Sequence, residues 1–511
     1  MKKYIHKIFC VVLALLAVSC DSYLDINTNP NNPTVTNPDY VLSGALVETA
    51  RIKSQELNTL SCYLGGYFAS SGTYSQSGDQ RRTYGLTTNN GLVTAQWATF
   101  YANAANYNFV EGQVKKLPDY NNYVAVCKIM KAYIIQNLVD MYGNIPYTDA
   151  LTGFVQLSPK YDEAQSIYDA LSVELETAVK IITDVPTTAK PLIASVDVMF
   201  SGNMNSWAAL ANTIRLRLLI HQSALSSRQA YIQGEIGKII ANGKGFLMVD
   251  AMIQPGYKKS AGQQNPFWEA NGWTTGNAIA GGGFARDYNR ASNLSLNFFK
   301  ASTDPRIDYF FRYPGQDPGT NVASPVASGY KGIDFGALPA TEISSAATSG
   351  FGVGIMGSPD QSVFFFTAAQ SYFLQAEATQ RGWLAGTPQT LFESGITASF
   401  TSLGVPNAAT AATTYYTSGI IDVDWTASTD KIKAIVTQKW AANYAIDGLE
   451  AWTDVRRVGI PSVPLSVDPG RISNVAPVRL LYPISEYSSN TASVKAQGEI
   501  SQFTSKIFWN Q

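Results

Sequence analysis

Histidine and cysteine are scarce in this chain, which has 2 His and 4 Cys among 511 residues. His6 and Cys10 lie in the N-terminal stretch, so His221 alone cannot build a site of several histidines. Nucleophilic hydrolysis also lacks the base that must stand beside a serine or cysteine. We expect His221 to be structural and Cys62 and Cys127 to be buried thiols, with a disulfide between the two cysteines as the alternative. No metal and no cofactor is predicted.

Charge is also sparse, at 15% of residues with a formal net charge of −1. Nucleic acid binding needs a basic face that this balance does not favour. Aromatic residues, in contrast, are plentiful, with 9 Trp, 28 Tyr and 23 Phe. A surface that takes its polarity from amides, hydroxyls and rings suits an uncharged, hydroxyl-rich ligand, and it suits plain solubility equally well.

The chain has no long hydrophobic run. The apolar stretch from Ile8 to Val18 follows a lysine-rich start and ends at Ser19 and Cys20, and it is shorter than the roughly twenty residues of a membrane helix. We interpret residues 1–19 as a lipoprotein signal peptide and Cys20 as the lipidated start of the mature protein. Ordinary secretory cleavage at the same bond is the alternative, and Asp21 leaves retention at the inner membrane open.

The rest of the chain is predicted to be a tether over residues 20–39 and a single α-helical domain over residues 40–511. Apolar residues recur at helical spacing in several segments, which predicts helices paired as hairpins. These segments are Val93 to Val114, Tyr123 to Met141, Ile167 to Ile182, Trp207 to Leu225, Val363 to Trp383 and Ile432 to Ile446. Two loop-rich insertions, near 243–287 and 314–358, are typical of binding loops.

The first of these insertions contains tryptophans interleaved with amides. Flat rings stack on sugar rings or peptide groups, while amides reach hydroxyls and carbonyls. The alternative is that the rings pin the loop to the body. Further candidates come from the segment 70–91 and from the end of the insertion. The predicted ligand-binding residues are Asn265, Phe267, Trp268, Asn271, Trp273, Tyr74, Gln76 and Tyr288.

No motif predicts catalysis. The glycines between Gly352 and Gly357 have dinucleotide spacing, but Ser358 and Pro359 follow where a helix should run, so we interpret them as a loop. Glycoside cleavage needs only two carboxylates and stays open as an alternative.

Several segments resemble the SusD/RagB family of nutrient-binding outer-membrane lipoproteins, in particular its SusD-like branch. They are Tyr23 to Pro33, Asp140 to Tyr147, Ser158 to Asp162, Asp304 to Arg306, Tyr372 to Ala378, Gln438 to Trp440, Gly448 to Arg457 and Arg479 to Pro483. The resemblance implies a mainly α fold, with tetratricopeptide-like helix pairs as scaffold and a large irregular ligand-binding part. It also implies that Trp440, Trp452, Arg456 and Arg457 tie helices together, whereas no ligand-binding residue transfers by motif.

The expected function is therefore that of a non-catalytic receptor, lipid-anchored at the cell surface on the outer membrane. It would bind an oligomeric nutrient, a glycan first of all, and pass it to a SusC-like TonB-dependent β-barrel transporter. A peptide receptor of the same type and a surface glycosidase are the alternatives.

Overall fold

The computed structural model describes residues 36–73, 79–272, 287–316 and 329–510. The predicted signal peptide and lipid site Cys20 lie outside these residues, as do the ligand candidates Tyr74, Gln76 and Trp273.

The described chain is mainly helical. The helices are α1 (Pro38–Ile52), α2 (Asn58–Leu64), α3 (Gln80–Thr83), α4 (Gly91–Val114), α5 (Asn121–Tyr142), α6 (Ala164–Thr183), α7 (Met204–His221), α8 (Gln229–Ala241), α9 (Pro266–Asn271), α10 (Asn293–Ala301), α11 (Ile307–Phe310), α12 (Ala368–Gln380), α13 (Pro388–Ser402), α14 (Ala408–Tyr416), α15 (Lys431–Ala442), α16 (Gly448–Val458), α17 (Ile484–Ser489) and α18 (Thr491–Lys495). The strands are β1 (Phe68–Ser70), β2 (Ile145–Pro146), β3 (Tyr161–Asp162), β4 (Ala251–Ile253), β5 (Asn289–Ala291) and β6 (Val363–Phe366). None of the described helices combines the length and the hydropathy that crossing a bilayer requires.

The first helix begins earlier than the sequence predicts. The side chain of Asn37 caps α1 by accepting a hydrogen bond from the backbone of Asp39, and Pro38 occupies the first turn, where a missing N–H does no harm. The carboxylate of Asp39 accepts hydrogen bonds from Tyr123 at 2.6 Å and from Lys190 at 2.9 Å. Pro38 and Asp39 therefore belong to the folded body and not to the predicted tether of residues 20–39.

Helices α1 and α4 to α8 form what we call the helical scaffold. Successive helices α4 to α7 pack side by side, as the paired periodic segments predict. In α6 the apolar side chains of Ile167, Leu171, Leu175 and Ile182 all face one core. Helix α5 is buried on nearly every side.

The described strands form three two-stranded antiparallel sheets, β1–β5, β2–β3 and β4–β6. A second core lies around the β1–β5 ribbon, whereas the other two sheets pack mainly into the first core. In the β1–β5 ribbon, Phe68 pairs with Ala291 and Ser70 with Asn289. Aromatic rings fill this core, for example Phe68 against Phe351 at 5.1 Å between ring centroids.

One predicted helix is wrong in part. Residues 363–366 form β6, which pairs with β4, and the helix begins only after Thr367 caps α12. A short apolar run of Val and Phe fits a buried strand as well as a helix, so the period cannot distinguish them. The insertions near 243–287 and 314–358 contain, where described, β4, α9 and single 3₁₀ turns. Residues 352–357 form turns, as predicted.

Helix α16 joins the two cores, because Leu449 and Trp452 pack into the first and Ala451 into the second. The side chains that the resemblance assigns to helix ties lie on α15 and α16. Trp440 Nε1 donates a hydrogen bond to the backbone oxygen of Gly65 at 2.9 Å.

Buried ionic side chains lie at this junction. Both Nη atoms of Arg457 donate to the carboxylate of Glu377, at 2.7 and 2.9 Å. His221 Nε2 lies 3.1 Å from Glu450 Oε2, and Lys439 Nζ lies 2.7 Å from Glu450 Oε1. Cys62 and Cys127 are buried free thiols, as predicted.

Candidate ligand-binding site

The ends of several loops meet at one end of the β1–β5 ribbon. Ser71 N donates to the backbone oxygen of Tyr288 at 2.8 Å, and Gly72 N donates to that of Ile343 at 2.7 Å. A Cβ at Gly72 would lie 2.3 Å from the backbone oxygen of Ala340, so only glycine permits this close approach. The ribbon thus brings segments distant in sequence to one place.

An arginine lies flat over a tyrosine at this end of the ribbon. Arg81 Cζ is 4.2 Å from the ring centroid of Tyr288 and 5.2 Å from that of Tyr63. Asp79 caps α3 by accepting from the backbone of Arg81 at 3.1 Å, and its carboxylate lies 3.4 Å from Arg81 Nε. The side chain of Arg81 is 20% exposed. Neither of its Nη atoms hydrogen-bonds another described residue. We call Tyr63, Asp79, Arg81 and Tyr288 the loop-end site.

The two tyrosines of the loop-end site differ in their hydrogen bonding. Tyr63 donates its hydroxyl to Asn289 Oδ1 at 2.9 Å. The buried hydroxyl of Tyr288 has no hydrogen-bond partner among the described residues. A buried hydroxyl without a partner destabilises the fold by about 1–3 kcal/mol, which the polar group of a ligand would relieve.

Charges of both signs surround the loop-end site. Arg290 Nη2 lies 3.6 Å from Asp287 Oδ1 and also donates to the backbone oxygen of Ser345 at 3.2 Å. With Arg81 and Asp79, this makes two cations and two carboxylates. The balance favours an uncharged ligand over an ionic one. In the described part of the chain, no group of three or more His, Cys, Asp or Glu is placed to hold a metal ion.

The residues predicted around Trp268 lie beside the same ribbon, in and before α9. The side chain of Asn265 caps this helix, accepting from the backbone of Phe267 at 2.8 Å and of Trp268 at 3.2 Å. The ring of Phe267 packs edge-on against Phe351 at 5.2 Å. All of these predicted residues are buried, with Phe267 8% and Trp268 7% exposed. Asn265 and Phe267 line a cavity of about 30 Å³, which is large enough for a water molecule but too small for a sugar ring.

Amide contacts connect α9 to the loop-end site. Asn289 Nδ2 donates to Asn271 Oδ1 at 3.1 Å, and Asn271 Nδ2 donates to the backbone oxygen of Phe267 at 3.1 Å. The described members of the predicted set are therefore brought together, but their amides and rings are engaged within the protein. Contact of α9 with a ligand stays a prediction.

Sequence reasoning missed Arg81 as a site residue, although it noted the segment that contains it. It also missed a stacked pair of rings, Tyr313 and Tyr330, whose centroids are 4.2 Å apart. Tyr330 donates its hydroxyl to Asp308 Oδ1 at 2.5 Å. The only signal for either feature was a tyrosine or arginine within a segment of glycine, proline and serine.

Both the sequence and the fold are similar to those of known proteins. The profile of a SusD-like family, described as starch-binding and associating with the outer membrane, matches residues 30–483. A chitin-binding SusD homologue from Flavobacterium johnsoniae has a TM-score of 0.73 and 25% identity, over 92% of this chain and 98% of that chain.

Two further structures are similar. A SusD homologue from Bacteroides uniformis has a TM-score of 0.72 and 23% identity, over 92% of this chain and 99% of that chain. A SusD homologue from Bacteroides fragilis has a TM-score of 0.73 and 20% identity, over 93% of this chain and 99% of that chain. These two likenesses show the fold alone. No curated protein sequence matches the chain.

Proposed function

Because the chain belongs to the SusD-like family, we propose that it is a cell-surface receptor that captures an oligomeric glycan and passes it to a SusC-like TonB-dependent transporter. Proteins of this family bind ligands and are not enzymes. The family's description by starch and the outer membrane supports a glycan as the ligand. The chitin binding named for the Flavobacterium homologue supports it as well.

The observation that carries the proposal is the Arg81 guanidinium over the ring of Tyr288, with outer donors that have no hydrogen-bond partner among the described residues. A planar fork of N–H groups donates to sugar hydroxyls and ring oxygens. Asp79 holds the backbone of Arg81 in place, so little conformational entropy would be lost on binding.

Titration calorimetry with maltohexaose and chitohexaose tests this site. Arg81→Met keeps the aliphatic stem and removes the donors, and hydrogen bonds from charged groups contribute about 1.5–3 kcal/mol each. We expect the affinity of whichever oligosaccharide binds to fall by about tenfold or more. Lys180→Met, which removes an exposed cation from α6, is the control and should bind as the wild type does. Equal affinity of the Arg81 variant would refute the role of this site.

Tyr288→Phe removes a single oxygen atom and separates binding from folding. Because this hydroxyl has no described partner, the variant should be at least as stable as the wild type, yet bind the oligosaccharide more weakly. Tyr63→Phe breaks the hydrogen bond to Asn289 and should lower stability by about 1 kcal/mol. Loss of stability in Tyr288→Phe without a change in affinity would contradict the proposal.

The same preparation distinguishes the alternative functions. Binding of peptides with no binding of either oligosaccharide would favour a peptide receptor of the same type. Chromatography after long incubation would reveal a glycosidase by its released sugars, and such products would overturn the receptor function.

Lipid anchoring at Cys20 is part of the proposal and is supported by the signal-like residues 1–19. Cells fed a labelled fatty acid should incorporate it into the wild-type protein and not into Cys20→Ser. Protease added to intact cells should degrade a surface-exposed receptor. Protection from protease in intact cells would contradict a surface location.

The transporter partner is proposed from family membership. Mild detergent extraction of outer membranes from the native host, followed by affinity capture of this chain, should recover a large TonB-dependent β-barrel. Capture of the chain alone, from membranes in which the barrel is present, would contradict the partnership.

A further inference from the structure

A cleft on the helical scaffold shares no residue with the loop-end site. It lies between α4 and the segment 146–159, with Glu486 of α17 at its edge, and has a volume of about 530 Å³. This volume is within the range of small-molecule sites, about 300–1,000 Å³. We call it the scaffold cleft.

Aromatic rings of α4 line the scaffold cleft. They are Trp97, Tyr101 and Phe109, which lie about one or two helical turns apart on the same face. The ring centroids of Trp97 and Tyr101 are 5.1 Å apart. Tyr101 donates its hydroxyl to the backbone oxygen of Pro146 at 2.6 Å, which fixes the orientation of its ring. Tyr101 and Phe109 are half-buried, so part of each ring is open to the cleft.

The polar lining of the scaffold cleft accepts hydrogen bonds. Glu486 Oε2 accepts from the hydroxyl of Tyr161 at 2.7 Å, and Glu486 Oε1 has no hydrogen-bond partner among the described residues. Within the described part of the chain, the Asp149 carboxylate accepts a single long hydrogen bond, of 3.3 Å, from the backbone of Lys160. Among the described residues that line the scaffold cleft there is no lysine or arginine. Anionic ligands are therefore disfavoured, whereas hydroxyl groups can donate to both carboxylates.

The loop that closes the scaffold cleft is unusual in two ways. Leu151 has a left-handed backbone with φ of 61°, which is strained for a bulky residue and found preferentially at functional sites. Asn108 of α4 holds this residue by donating to its backbone oxygen at 3.0 Å. In the same loop Val155 is 88% exposed and Leu157 is 74% exposed. Exposed aliphatic side chains beside an aromatic cleft indicate a contact surface.

We infer that the scaffold cleft is a second carbohydrate-binding site, which takes one or two neutral sugar rings against the aromatic face of α4. This inference rests on the proposed glycan-binding function, but it is independent of the loop-end site. An aromatic floor, acceptor carboxylates and the lack of cations suit a hydroxyl-rich, uncharged ring better than a peptide or an anion.

Calorimetry of the full chain with chitohexaose and maltohexaose tests the inference through stoichiometry and paired variants. The wild type should bind two oligosaccharides per chain. Phe109→Ala combined with Glu486→Gln should abolish one binding event or weaken it about tenfold, since an aromatic contact contributes about 0.5–1.5 kcal/mol and a hydrogen bond adds to it. Arg81→Met should affect only the other event. Phe109→Tyr keeps an aromatic ring and should restore binding, while circular dichroism confirms that each variant is folded.

The possible failures are distinguishable. A single binding event that Arg81→Met weakens and the cleft variants leave unchanged would overturn the scaffold cleft and leave the proposed function standing. No binding of either oligosaccharide to the wild type would overturn both proposals.

Discussion

The buried pair of Glu377 and Arg457 offers a quantitative test of how the two cores are held together. Both side chains are at most 1% exposed, and two parallel hydrogen bonds of 2.7 and 2.9 Å join them. Arg457 also donates to Asp454 at 2.8 Å, and Arg381 donates to Glu377 at 2.8 Å. Among the described residues, Arg457→Met therefore leaves the buried Glu377 carboxylate with hydrogen bonds from Arg381 alone, which is partly exposed.

The expected loss of stability can be worked out in two ways. Removing one partner of a buried ion pair destabilises a protein by about 3–5 kcal/mol. Burial alone would raise the pKa of Glu377, but Arg457 and Arg381 outweigh it and lower this pKa to about 2. The difference from the usual value of about 4.3 corresponds to about 3 kcal/mol. This is the net effect of burial and of all the nearby cations, with Arg457 as the largest favourable contributor, and it is of the same order as the first figure.

Urea denaturation followed by circular dichroism measures the effect. With a slope of about 3 kcal/mol per molar for a chain of this size, the midpoint of Arg457→Met should fall by about 1–2 M. Glu377→Gln should lose less, because Arg457 keeps Asp454, and the double variant should lose less than the sum. Lys180→Met, from an exposed pair with Asp184, should leave the midpoint unchanged.

The stability contributed by the ionised Glu377 carboxylate decreases at low pH. The pKa of Glu377 is lower in the folded protein, so its contribution is fully present above about pH 4.3 and is lost as the pH falls towards 2. The wild type should therefore lose more stability between pH 5 and pH 2 than Glu377→Gln does. A midpoint of Arg457→Met within about 0.3 M of the wild type, or parallel pH curves, would refute the reasoning.

Three further predictions concern buried groups. Burial disfavours the charged form of His221, but two adjacent carboxylates outweigh burial and raise the pKa of this residue. The stability that charged His221 contributes is therefore fully present below about pH 6.5 and should decline as the pH rises through the pKa of the folded state. Urea midpoints from pH 6 to 9 should show this decline in the wild type and a flatter curve in His221→Gln, and equal slopes would contradict it. Gly448→Ala should reduce the free energy of unfolding by about 1–3 kcal/mol and so lower the melting temperature. The reason is that the added Cβ would lie 2.6 Å from the backbone nitrogen of Cys62. Gly44→Ala, in open space on α1, is the control and should not destabilise, and matching losses would refute the argument. Burial raises the pKa of the thiols of Cys62 and Cys127, so peptide mass spectrometry should find neither alkylated by iodoacetamide until urea unfolds the chain, and labelling of either in the native protein would count against their burial.

Much of the scaffold could be predicted from the sequence. Helices α4, α5 and α6 carry apolar residues at three- and four-residue intervals over many turns, and this local pattern is sufficient because each helix buries a continuous face. The run from Val363 to Phe366 could not be assigned, since its partner strand β4 lies more than a hundred residues earlier and supplies the hydrogen bonds.

The site was harder to predict, because burial depends on distant partners. Trp268 in a glycine-rich segment suggests an exposed ring, yet α9 packs against residues such as Phe351 that follow much later in the chain. Arg81 resembles any surface cation in sequence. Its importance comes from the position of Tyr288, which the β1–β5 ribbon alone brings beneath it.

The ionic junction around α16 has a consequence for how the molecule comes apart. Separation of the two cores would deprive four charged side chains of their partners before water could solvate them. These side chains are Glu377, Arg457, Lys439 and Glu450. A state in which one core is unfolded and the other folded is therefore high in free energy. On heating, the two cores should unfold together in one cooperative transition rather than one after the other.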